Sequence, residues 1–576
     1  MKAPYHRYAG AIVSVAAAGW LAGCATAPGD APRQAPQGRA LGAQGPSACA
    51  ALKGARVEAA AIGIPSGAAA VESAEWLAAT PVQVAPQGAT PAGRITPAAP
   101  AYCKVLGRIA PRDPLAPPIL FQVNLPAQWS GRSLQLGGGG FNGVLTSGQG
   151  LPPAWRFDQP GPLAAGFVTV GTDSGHQNKP GEAIQAFALN DEAFENFAHA
   201  SYKKVRDVSV ALMQRLYGKA PERMYFMGSS EGGREAMTMA QRYPDAFDGI
   251  VARVPVLNWT GLLHASARSG QVLAGQGWIS PALAKHYGEA VLAAWDAADG
   301  LKDGIGADPV GCPQKFDPAR LACGATGAGA TTCLNPAQLK AVQTLYAPYV
   351  FGFPLANGVT QYPGWGLSGE AVPAAGPTGG WGAWWSGGAE PKPDGTGGGI
   401  AYGFGFGTLR YVFARDPKAD LTHYTPERHR ARVEQVSAMM DATNPDLSAF
   451  ARRGGKLIML EYLGDFAQSP YAGIGYYQSV VQRMGAARTG GFLRLYTAPS
   501  VDHVGSGAPG NADLMGALAA WVEQGRMPGM IELVEQGLQA PFIPSRTRPL
   551  CEWPYWPRYR GTGDVNSAAS FACVRE

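Results

Sequence analysis

The segment Gly228-Ser229-Ser230-Glu231-Gly232 places a serine at the centre of a Gly-x-Ser-x-Gly pattern. The apolar run Tyr225–Met227 precedes it and a helix-like segment follows, which is the strand–turn–helix context of a nucleophilic serine. Such a turn strains the backbone of its central residue, so the neighbours must be small, and the flanking glycines meet that need. We therefore predict Ser230 as a nucleophile, against the alternative of a plain glycine-rich turn between strand and helix.

A nucleophilic serine needs a base within hydrogen-bonding reach and an acid that orients the base. His503 lies in a loop after the predicted strand Phe492–Tyr496, and Asp465 lies just beyond the predicted strand Lys456–Leu460. The chain order serine, aspartate, histidine is the one found in α/β-hydrolases. The weaker candidates for the acid are other carboxylates of the same region, namely Asp441, Asp446, Asp502 and, as an outside candidate, Glu461.

The oxyanion that forms when serine attacks an ester needs backbone N–H donors. One donor is expected from Glu231, the residue after the nucleophile. The other is expected from the glycine run Gly137–Gly143, which follows a predicted early strand and lets the backbone approach the oxyanion. As a phosphate cradle the run is weak, because neither Gly-Lys-Ser/Thr nor a dinucleotide-binding fingerprint accompanies it.

The elements that must position these residues follow an alternating β and α pattern. Strands are predicted at Ile119–Leu125, Ser133–Leu136, Gly166–Gly171, Met224–Met227, Lys456–Leu460 and Gly491–Tyr496, and a helix at Tyr202–Tyr217. A long segment of helices and Gly- and Trp-rich loops separates the fourth strand from the fifth. The pattern predicts an α/β fold: an α/β-hydrolase sheet, formed by residues 46–252 and 454–576, with a large lid domain (253–453) inserted after the nucleophile strand.

The N-terminus predicts export. Lys2 and Arg7 precede the apolar run Ala9–Ala22, which is too short to span a bilayer, so residues 1–24 are predicted as a signal peptide. Leu21-Ala22-Gly23-Cys24 resembles a bacterial lipobox, which implies a lipid anchor on Cys24 and a periplasmic or outer-membrane lipoprotein; ordinary secretion, with Cys24 incidental, is the alternative. Residues 25–45 are rich in Pro, Gly, Ala and Gln, as in a flexible tether.

Composition bounds the class of protein. The chain has 576 residues, of which 46% are hydrophobic and 14 are tryptophan, so it is long enough for two domains with apolar cores. The net charge of +5 becomes +3 when Lys2 and Arg7 leave with the signal peptide, and no basic stripe is visible, which excludes a nucleic-acid partner. Export favours disulfides, and with Cys24 set aside seven cysteines remain, so one thiol is left over and the pairing stays open.

From about Cys49 to Cys573 the chain resembles the tannase and feruloyl esterase family. The resemblance rests on motifs in one order: Gly137–Gly143, Thr172-Asp173-Ser174-Gly175-His176, Gly228–Arg234, Asp296–Ile305, Asp465, His503 and Arg546–Cys551. It implies Ser230, Asp465 and His503 as a catalytic triad, with oxyanion donors from Gly140 and Glu231.

The segment Asp296–Ile305 carries three carboxylates within eight positions. Hard oxygen ligands and glycine turns suit Ca²⁺, but the spacing is not that of an EF-hand, and from the residues alone a solvated acidic turn is equally expected. The family resemblance implies a structural Ca²⁺. Its ligands would be the side chains of Asp296, Asp299 and Asp303 and the backbone carbonyls of Leu301 and Ile305.

The resemblance also implies a cysteine pairing. The implied disulfides are Cys49–Cys103, Cys323–Cys333 and Cys551–Cys573, with Cys312 as the odd thiol. Family members typically join a cysteine before the nucleophile to one after the catalytic histidine. Here those positions are Ser229 and Val504, so that covalent tie is absent.

A second departure concerns the substrate. Terephthalate-hydrolysing members hold a free carboxylate with a lid arginine, and the resemblance puts Tyr402 at that position, with Arg410 a few residues away. An aromatic wall for a benzoyl or cinnamoyl ring is predicted from Trp384, Trp385, Tyr402, Phe404 and Phe406, although these residues could equally form the core of the lid.

The sequence thus predicts a serine carboxylesterase that hydrolyses aromatic esters of feruloyl, galloyl or terephthalate type through an acyl-enzyme. Its partner is a small aromatic ester, and membrane contact is expected only through the N-terminal anchor. The alternatives are an acyltransferase or peptidase on the same triad, and a non-catalytic surface lipoprotein that binds ligands.

Overall fold

The computed structural model describes residues 37–86, 92–308, 316–324, 331–367, 369–372 and 380–575. The predicted signal peptide, Cys24, most of the predicted tether and Cys312 lie outside these residues. Secondary structure is present before the predicted tether boundary at residue 45. Arg39–Ala40 pair with Gln128–Trp129, and a helix starts at Gly45, which is itself buried.

Twenty strands, β1 to β20, occur in the described residues. The first ten are Arg39–Ala40, Arg56–Val57, Ala69–Leu77, Gln83–Val84, Ile95–Thr96, Tyr102–Ile109, Ile119–Pro126, Gln128–Trp129, Arg132–Leu136 and Val168–Thr172. The others are Arg223–Ser229, Gly249–Arg253, Tyr349–Val350, Gln361–Tyr362, Lys456–Tyr462, Leu493–Ala498, Ile531–Gln536, Pro544–Glu552, Trp556–Tyr559 and Phe571–Val574. The predicted strands are confirmed, most with ends that differ by one or two residues.

Twelve of the strands form one sheet in the order β17-β18-β16-β15-β12-β11-β9-β10-β7-β6-β3-β2. Its central six strands, from β16 to β10, are parallel, and the flanking strands are antiparallel. Parallel strands end on the same edge of a sheet, so the segments that follow β9, β11, β15 and β16 emerge side by side. Those segments carry the glycine run, Ser230, Asp465 and His503.

The α-helices of the described residues are numbered α1 to α13. They span Gly45–Ala50, Asp191–Glu195, Ser201–Tyr217, Glu231–Arg242, Trp259–Val272, Pro281–Trp295, Pro336–Tyr346, Ile400–Thr408, Arg430–Met440, Ser448–Arg452, Pro470–Met484, Ala486–Gly490 and Leu514–Gln524. Both faces of the sheet are covered, as the alternation in β11 shows. Met224 and Phe226 pack in the cluster with α3, α4 and α11, and Tyr225 and Met227 pack in the cluster with α13.

The segment between β12 and β15 has its own hydrophobic cluster, with members from Val256 to Met440 on α5, α6, α7, α8 and α9. Its described part adds no strand to the large sheet, since β13 and β14 pair only with each other. Phe141, Phe194 and Phe197 of the sheet-forming part also belong to this cluster. The two parts of the chain therefore share apolar packing next to the edge where the chemistry-bearing residues emerge.

The three predicted disulfides, Cys49–Cys103, Cys323–Cys333 and Cys551–Cys573, are all present. Disulfides of this kind persist in oxidising compartments, as in secreted proteins. Among the residues that the structure describes, none of the helices has the length and apolar character that crossing a bilayer requires.

Candidate active site

Ser230 forms the turn between β11 and α4. Its backbone has φ 59° and ψ −121°, a strained conformation for a residue with a side chain. The turn closes only because its neighbours are glycines. A Cβ on Gly232 would lie 2.6 Å from the carbonyl oxygen of Gly138, and one on Gly233 would lie 2.6 Å from that of Arg253. The strand–turn–helix arrangement predicted from the sequence is thus present, with Ser230 at the tip of the turn.

His503 and Asp465 form a buried hydrogen-bonded pair, with Nδ1 of His503 2.7 Å from Oδ2 of Asp465. The other oxygen of Asp465 accepts from the backbone N–H groups of Ala467 and Gln468, at 2.7 and 3.0 Å. Because Asp465 holds Nδ1, the imidazole has Nε2 left to accept a proton.

The other candidate acids have different partners. Asp441 accepts from the backbone of Thr260, Asp446 from that of Ser448, and Asp502 from those of Val504 and Ser506. Glu461 accepts from the side chain of Gln468. Of the five carboxylates considered from the sequence, Asp465 alone is hydrogen-bonded to His503 within the described residues.

Glu235 of α4 holds the glycine run after β9 next to the turn that carries Ser230. Its Oε2 accepts from the N–H of Gly138 at 2.9 Å, and its Oε1 accepts from Nδ2 of Asn142 at 2.5 Å. Burial raises the pKa of Glu235 above its usual value. Gly140 has a φ of +59°, which favours glycine, and it lines one cavity together with Ser230 and Glu231.

His176, from one of the family motifs, supports the same run. Its Nε2 lies 2.9 Å from the carbonyl oxygen of Phe141, so the ring N–H must donate there. Burial lowers the pKa of His176 to about 4, which keeps the ring neutral at physiological pH. The ring also stacks on Phe187 with centroids 3.6 Å apart. This histidine therefore positions Phe141 in the cavity wall.

Glu231 and Arg234 form a buried ion pair at the start of α4, with Nε of Arg234 2.7 Å from Oε1 of Glu231. Burial raises the pKa of Glu231 to about 7, and the charge of Arg234 opposes that rise. The carboxylate of Glu231 is thus held in this ion pair with Arg234. Its backbone N–H remains at the position next to the nucleophile where an oxyanion donor is needed.

Ser230, His503, Gly140 and Glu231 all line one small cavity of about 40 Å³. The rest of its wall is mostly apolar and combines both parts of the chain: Phe141, Val256, Trp259, Leu262, Leu263, Trp384, Phe404, Ala467 and Gln468. The aromatic rings contact one another edge to face, with Phe141 5.2 Å from Phe404 and Phe404 5.7 Å from Trp384. Trp384 also lies 6.2 Å from the ring of His503.

The predicted aromatic wall is found only in part. Of the predicted residues, Trp384 and Phe404 line the cavity, whereas Tyr402, Phe406 and Arg410 are not among the lining residues. Helix α8 explains this, because residues two apart on a helix point to opposite sides. Tyr402 packs on Gly270 and donates to the carbonyl of Lys392, whereas Arg410 stacks on Phe406 at 4.5 Å.

Two further features of the wall differ from the sequence prediction. Trp385 belongs to the hydrophobic cluster of the inserted segment, where it packs edge to face on Trp365 at 4.6 Å. Trp259, Leu262 and Leu263 of α5 line the cavity and were missed from the sequence. The only available signal was a tryptophan at the start of the helix that follows β12.

The acidic segment predicted to bind calcium forms a compact turn after α6. Oδ1 of Asp296 accepts from the backbone N–H groups of Asp303 and Gly304, and Oδ2 of Asp303 pairs with Arg548 at 2.5 Å. Burial raises the pKa of Asp299 to about 7, and the charges of Asp303 and Asp296 act in the same direction. Across the described ranges, no three His, Cys, Asp or Glu side chains already converge as a metal site.

Comparison with known proteins gives one consistent result. The family described as "Tannase and feruloyl esterase" matches residues 103–574. An uncharacterised esterase of Agrobacterium fabrum is 34% identical, covering 91% of this chain and 93% of its own length. The mono(2-hydroxyethyl) terephthalate hydrolase of Piscinibacter sakaiensis is also 34% identical, covering 88% and 89% respectively.

Solved structures show the same fold. Feruloyl esterase B from Aspergillus oryzae superposes with a TM-score of 0.71 at 23% identity, over 92% of this chain and all of that one. Tannin acyl hydrolase from Aspergillus niger gives 0.64 at 20%, over 88% and 92%. These likenesses confirm the α/β-hydrolase fold. With the family match over residues 103–574, they show that the chain is a carboxylic ester hydrolase of the tannase and feruloyl esterase family.

Proposed function

We propose that the chain is a serine carboxylesterase that hydrolyses aromatic esters, phenolic ones in particular, through an acyl-enzyme on Ser230. The observation that carries the proposal is the 2.7 Å hydrogen bond between His503 and Asp465, beside a cavity that the same histidine shares with Ser230. The names of the relatives support the substrate class, since they include a terephthalate hydrolase and probable feruloyl esterases.

In the proposed reaction, Oγ of Ser230 attacks the ester carbonyl carbon while Nε2 of His503 takes the hydroxyl proton. The carbonyl oxygen becomes an oxyanion that the backbone N–H groups of Gly140 and Glu231 stabilise. Collapse of this intermediate breaks the bond to the alcohol, which leaves with the proton from His503. Asp465 holds the imidazole in the required tautomer and stabilises its transient positive charge.

Deacylation repeats the sequence with water. His503 removes a proton from water, the hydroxide attacks the acyl carbon, and the second tetrahedral intermediate expels Ser230, which regains the proton. The acyl ring would lie against Phe141, Trp384 and Phe404, whose faces and edges suit an aromatic group. The cavity of about 40 Å³ is much smaller than the ~150 Å³ that holds benzene in an engineered protein cavity. Substrate entry therefore requires the aromatic rings of the wall to move.

A panel of esters tests the proposal. Wild type and Ser230→Ala would be assayed on methyl ferulate, a gallate ester, bis(2-hydroxyethyl) terephthalate and 4-nitrophenyl acetate, with an aliphatic ester of similar size for comparison. The proposal predicts that kcat/KM is higher for the aromatic esters and that the alanine variant is inactive on all of them. A preference for the aliphatic ester would contradict the substrate class.

A structural Ca²⁺ in the turn Asp296–Ile305 is part of the proposal. The donor set fits a hard cation, since Asp296 and Asp299 are buried carboxylates close to Asp303. Asp296, Asp299 and Asp303 would bind through their side chains, with the carbonyls of Leu301 and Ile305 completing the shell. Metal analysis of purified protein and a Tm lowered by chelator and restored by Ca²⁺, but not in Asp299→Asn, would support it. An identical Tm with and without chelator would contradict it.

We also propose the domain division and the location. Residues 253–453 form the lid and residues 46–252 with 454–576 the catalytic domain, in keeping with a hydrophobic cluster to which the inserted segment contributes most of the members. The protein is exported and anchored by a lipid on Cys24, for which the three disulfides and the N-terminal sequence are the support. Loss of membrane association in Cys24→Ala is the expected result, and unchanged fractionation would contradict the anchor.

A further inference from the structure

Gln468, a residue of the cavity wall, has a buried acceptor atom without a donor. Gln468 lines the cavity and is 1% exposed. Its Nε2 donates to Oε2 of Glu461 at 2.8 Å, but its Oε1 is buried and receives no hydrogen bond from any described residue. Buried polar atoms of native proteins nearly always have a partner, so this oxygen calls for one that binds from outside the chain.

The amide is held firmly in place. The backbone N–H of Gln468 donates to Oδ1 of Asp465 at 3.0 Å, and the other oxygen of Asp465 binds His503. Glu461, at the end of β15, is fully buried and holds the far end of the side chain. The side-chain amide therefore cannot turn without breaking its hydrogen bond to Glu461, and the backbone hydrogen bond fixes the residue beside Asp465.

Trp384, another residue of the cavity wall, has a buried donor atom. Nε1 of Trp384 is buried and has no acceptor among the described residues. A hydroxyl group can donate one hydrogen bond and accept another, so it can satisfy both atoms, whereas a methoxy group can satisfy only the indole. Apart from Ser230, His503 and the ion-paired Glu231, the other side chains of the wall are apolar.

We propose that Gln468 is a specificity-determining residue, whose Oε1 accepts a hydrogen bond from a hydroxyl group of the ester substrate. The inference rests on the proposed esterase function of this cavity. It adds that the enzyme prefers esters that carry a hydroxyl group. A site built to hydrogen-bond a hydroxyl rejects an analogue without one, because its own polar group is then left unpaired. The hydroxyl can belong to the acyl ring or to the alcohol, and the experiment separates these sources.

The test measures kcat/KM on matched esters. For the acyl ring, methyl 3-hydroxybenzoate and methyl 4-hydroxybenzoate are each compared with methyl benzoate and with the methoxy analogue. For the alcohol, 2-hydroxyethyl benzoate is compared with propyl benzoate. Wild type is expected to prefer a hydroxylated ester in one of these sets by about tenfold or more, and Gln468→Met to reduce that ratio to near one. The ratio is the readout, because the substitution also alters packing beside Asp465.

A matched control uses the same substitution outside the cavity. Gln478 is exposed on α11, so Gln478→Met is expected to keep the wild-type ratio. The inference is overturned if wild type shows no hydroxyl preference, if Gln468→Met retains it, or if methoxy esters are preferred, since the amide nitrogen would then face the cavity. Wild type that cleaves none of these esters would instead overturn the proposed aromatic esterase, and the inference with it.

Discussion

Arg253, at the end of β12, donates a hydrogen bond from Nε to Oγ of Ser229 at 2.8 Å. Its guanidinium lies over the ring of Tyr462 at 5.0 Å and is buried. On the far side, Nη1 lies 3.6 Å from where a Cβ of Gly505 would be. Arg253 thus fills the space between the nucleophile turn and the histidine loop. The family resemblance implies that other members bridge this space with a disulfide between the positions of Ser229 and Val504. Here packing and one hydrogen bond replace that covalent tie.

Arg253→Met should lower kcat by about 10- to 100-fold while changing KM much less. The reason is that Ser230 and His503 lose their common support, and a displacement of about 1 Å can cost 10²-fold in rate. Steady-state kinetics on one aromatic ester, together with the Tm, would separate misplacement from unfolding. Arg430→Met, at an exposed arginine of α9, is the control and should be neutral. A folded Arg253→Met variant with wild-type kcat would show that catalysis does not need the contacts of Arg253 between the nucleophile turn and the histidine loop.

Gly232→Ala should prevent formation of a competent turn, because its Cβ would lie 2.6 Å from the carbonyl oxygen of Gly138. We expect a free energy of unfolding lowered by roughly 1–3 kcal/mol and a large loss of activity. Gly475→Ala is the matched control, since this glycine is exposed on α11 with nothing within 4 Å of the added methyl. It should be neutral or stabilise by up to about 1 kcal/mol. Equal stability of the two variants, measured by denaturant unfolding, would contradict the packing described for the turn.

Asp502 should make the folded state less stable as the pH rises from about 4 to 6. Burial raises the pKa of Asp502 to about 6, above the usual value of about 3.9, so the folded state binds the proton more tightly than the unfolded chain does. Its contribution to stability is therefore complete below about pH 4 and is lost as the pH passes through 6.

The comparison of wild type with Asp502→Asn by denaturant unfolding isolates the contribution of Asp502, because all other groups titrate in both proteins. Relative to the variant, wild type should lose at most about 3 kcal/mol between pH 4 and pH 7, with little change above. Parallel stability curves for the two proteins over this range would show that Asp502 is not buried as the structure has it.

Esters with a free carboxylate should be poor substrates. None of the described residues that line the cavity is lysine or arginine, and Arg410 stacks on Phe406 outside it. A carboxylate would therefore enter without the charged partner that its desolvation requires. We expect kcat/KM for mono(2-hydroxyethyl) terephthalate to be at least about tenfold below that for the uncharged bis-ester. The Phe404→Arg variant should reduce the difference in kcat/KM between the monoester and the bis-ester. A higher value for the monoester in wild type would contradict this prediction.

The sequence predicted the scaffold better than the cavity. The strands could be predicted because both faces of a central strand are apolar and each run is short, and the nucleophile turn has a pattern of its own. The wall of the cavity depends on the rotational phase of α8. Tyr402, Phe404 and Phe406 alternate in sequence, and only the helix decides that Phe404 lines the cavity while Tyr402 and Phe406 point away from it. Trp259 lines the same wall from α5, and no local signal reports contacts between such distant segments.

The central claim, that Ser230 is the nucleophile of an ester hydrolase, is tested most directly by trapping the acyl-enzyme. Wild type mixed rapidly with a 4-nitrophenyl benzoate should release a burst of about one equivalent of nitrophenolate, as expected when deacylation is slower than acylation. Mass spectrometry of the acid-quenched protein should find one benzoyl group, on the peptide that contains Ser230. Ser230→Ala should give neither burst nor adduct. A benzoyl group on another residue, or turnover that survives in Ser230→Ala, would contradict the account.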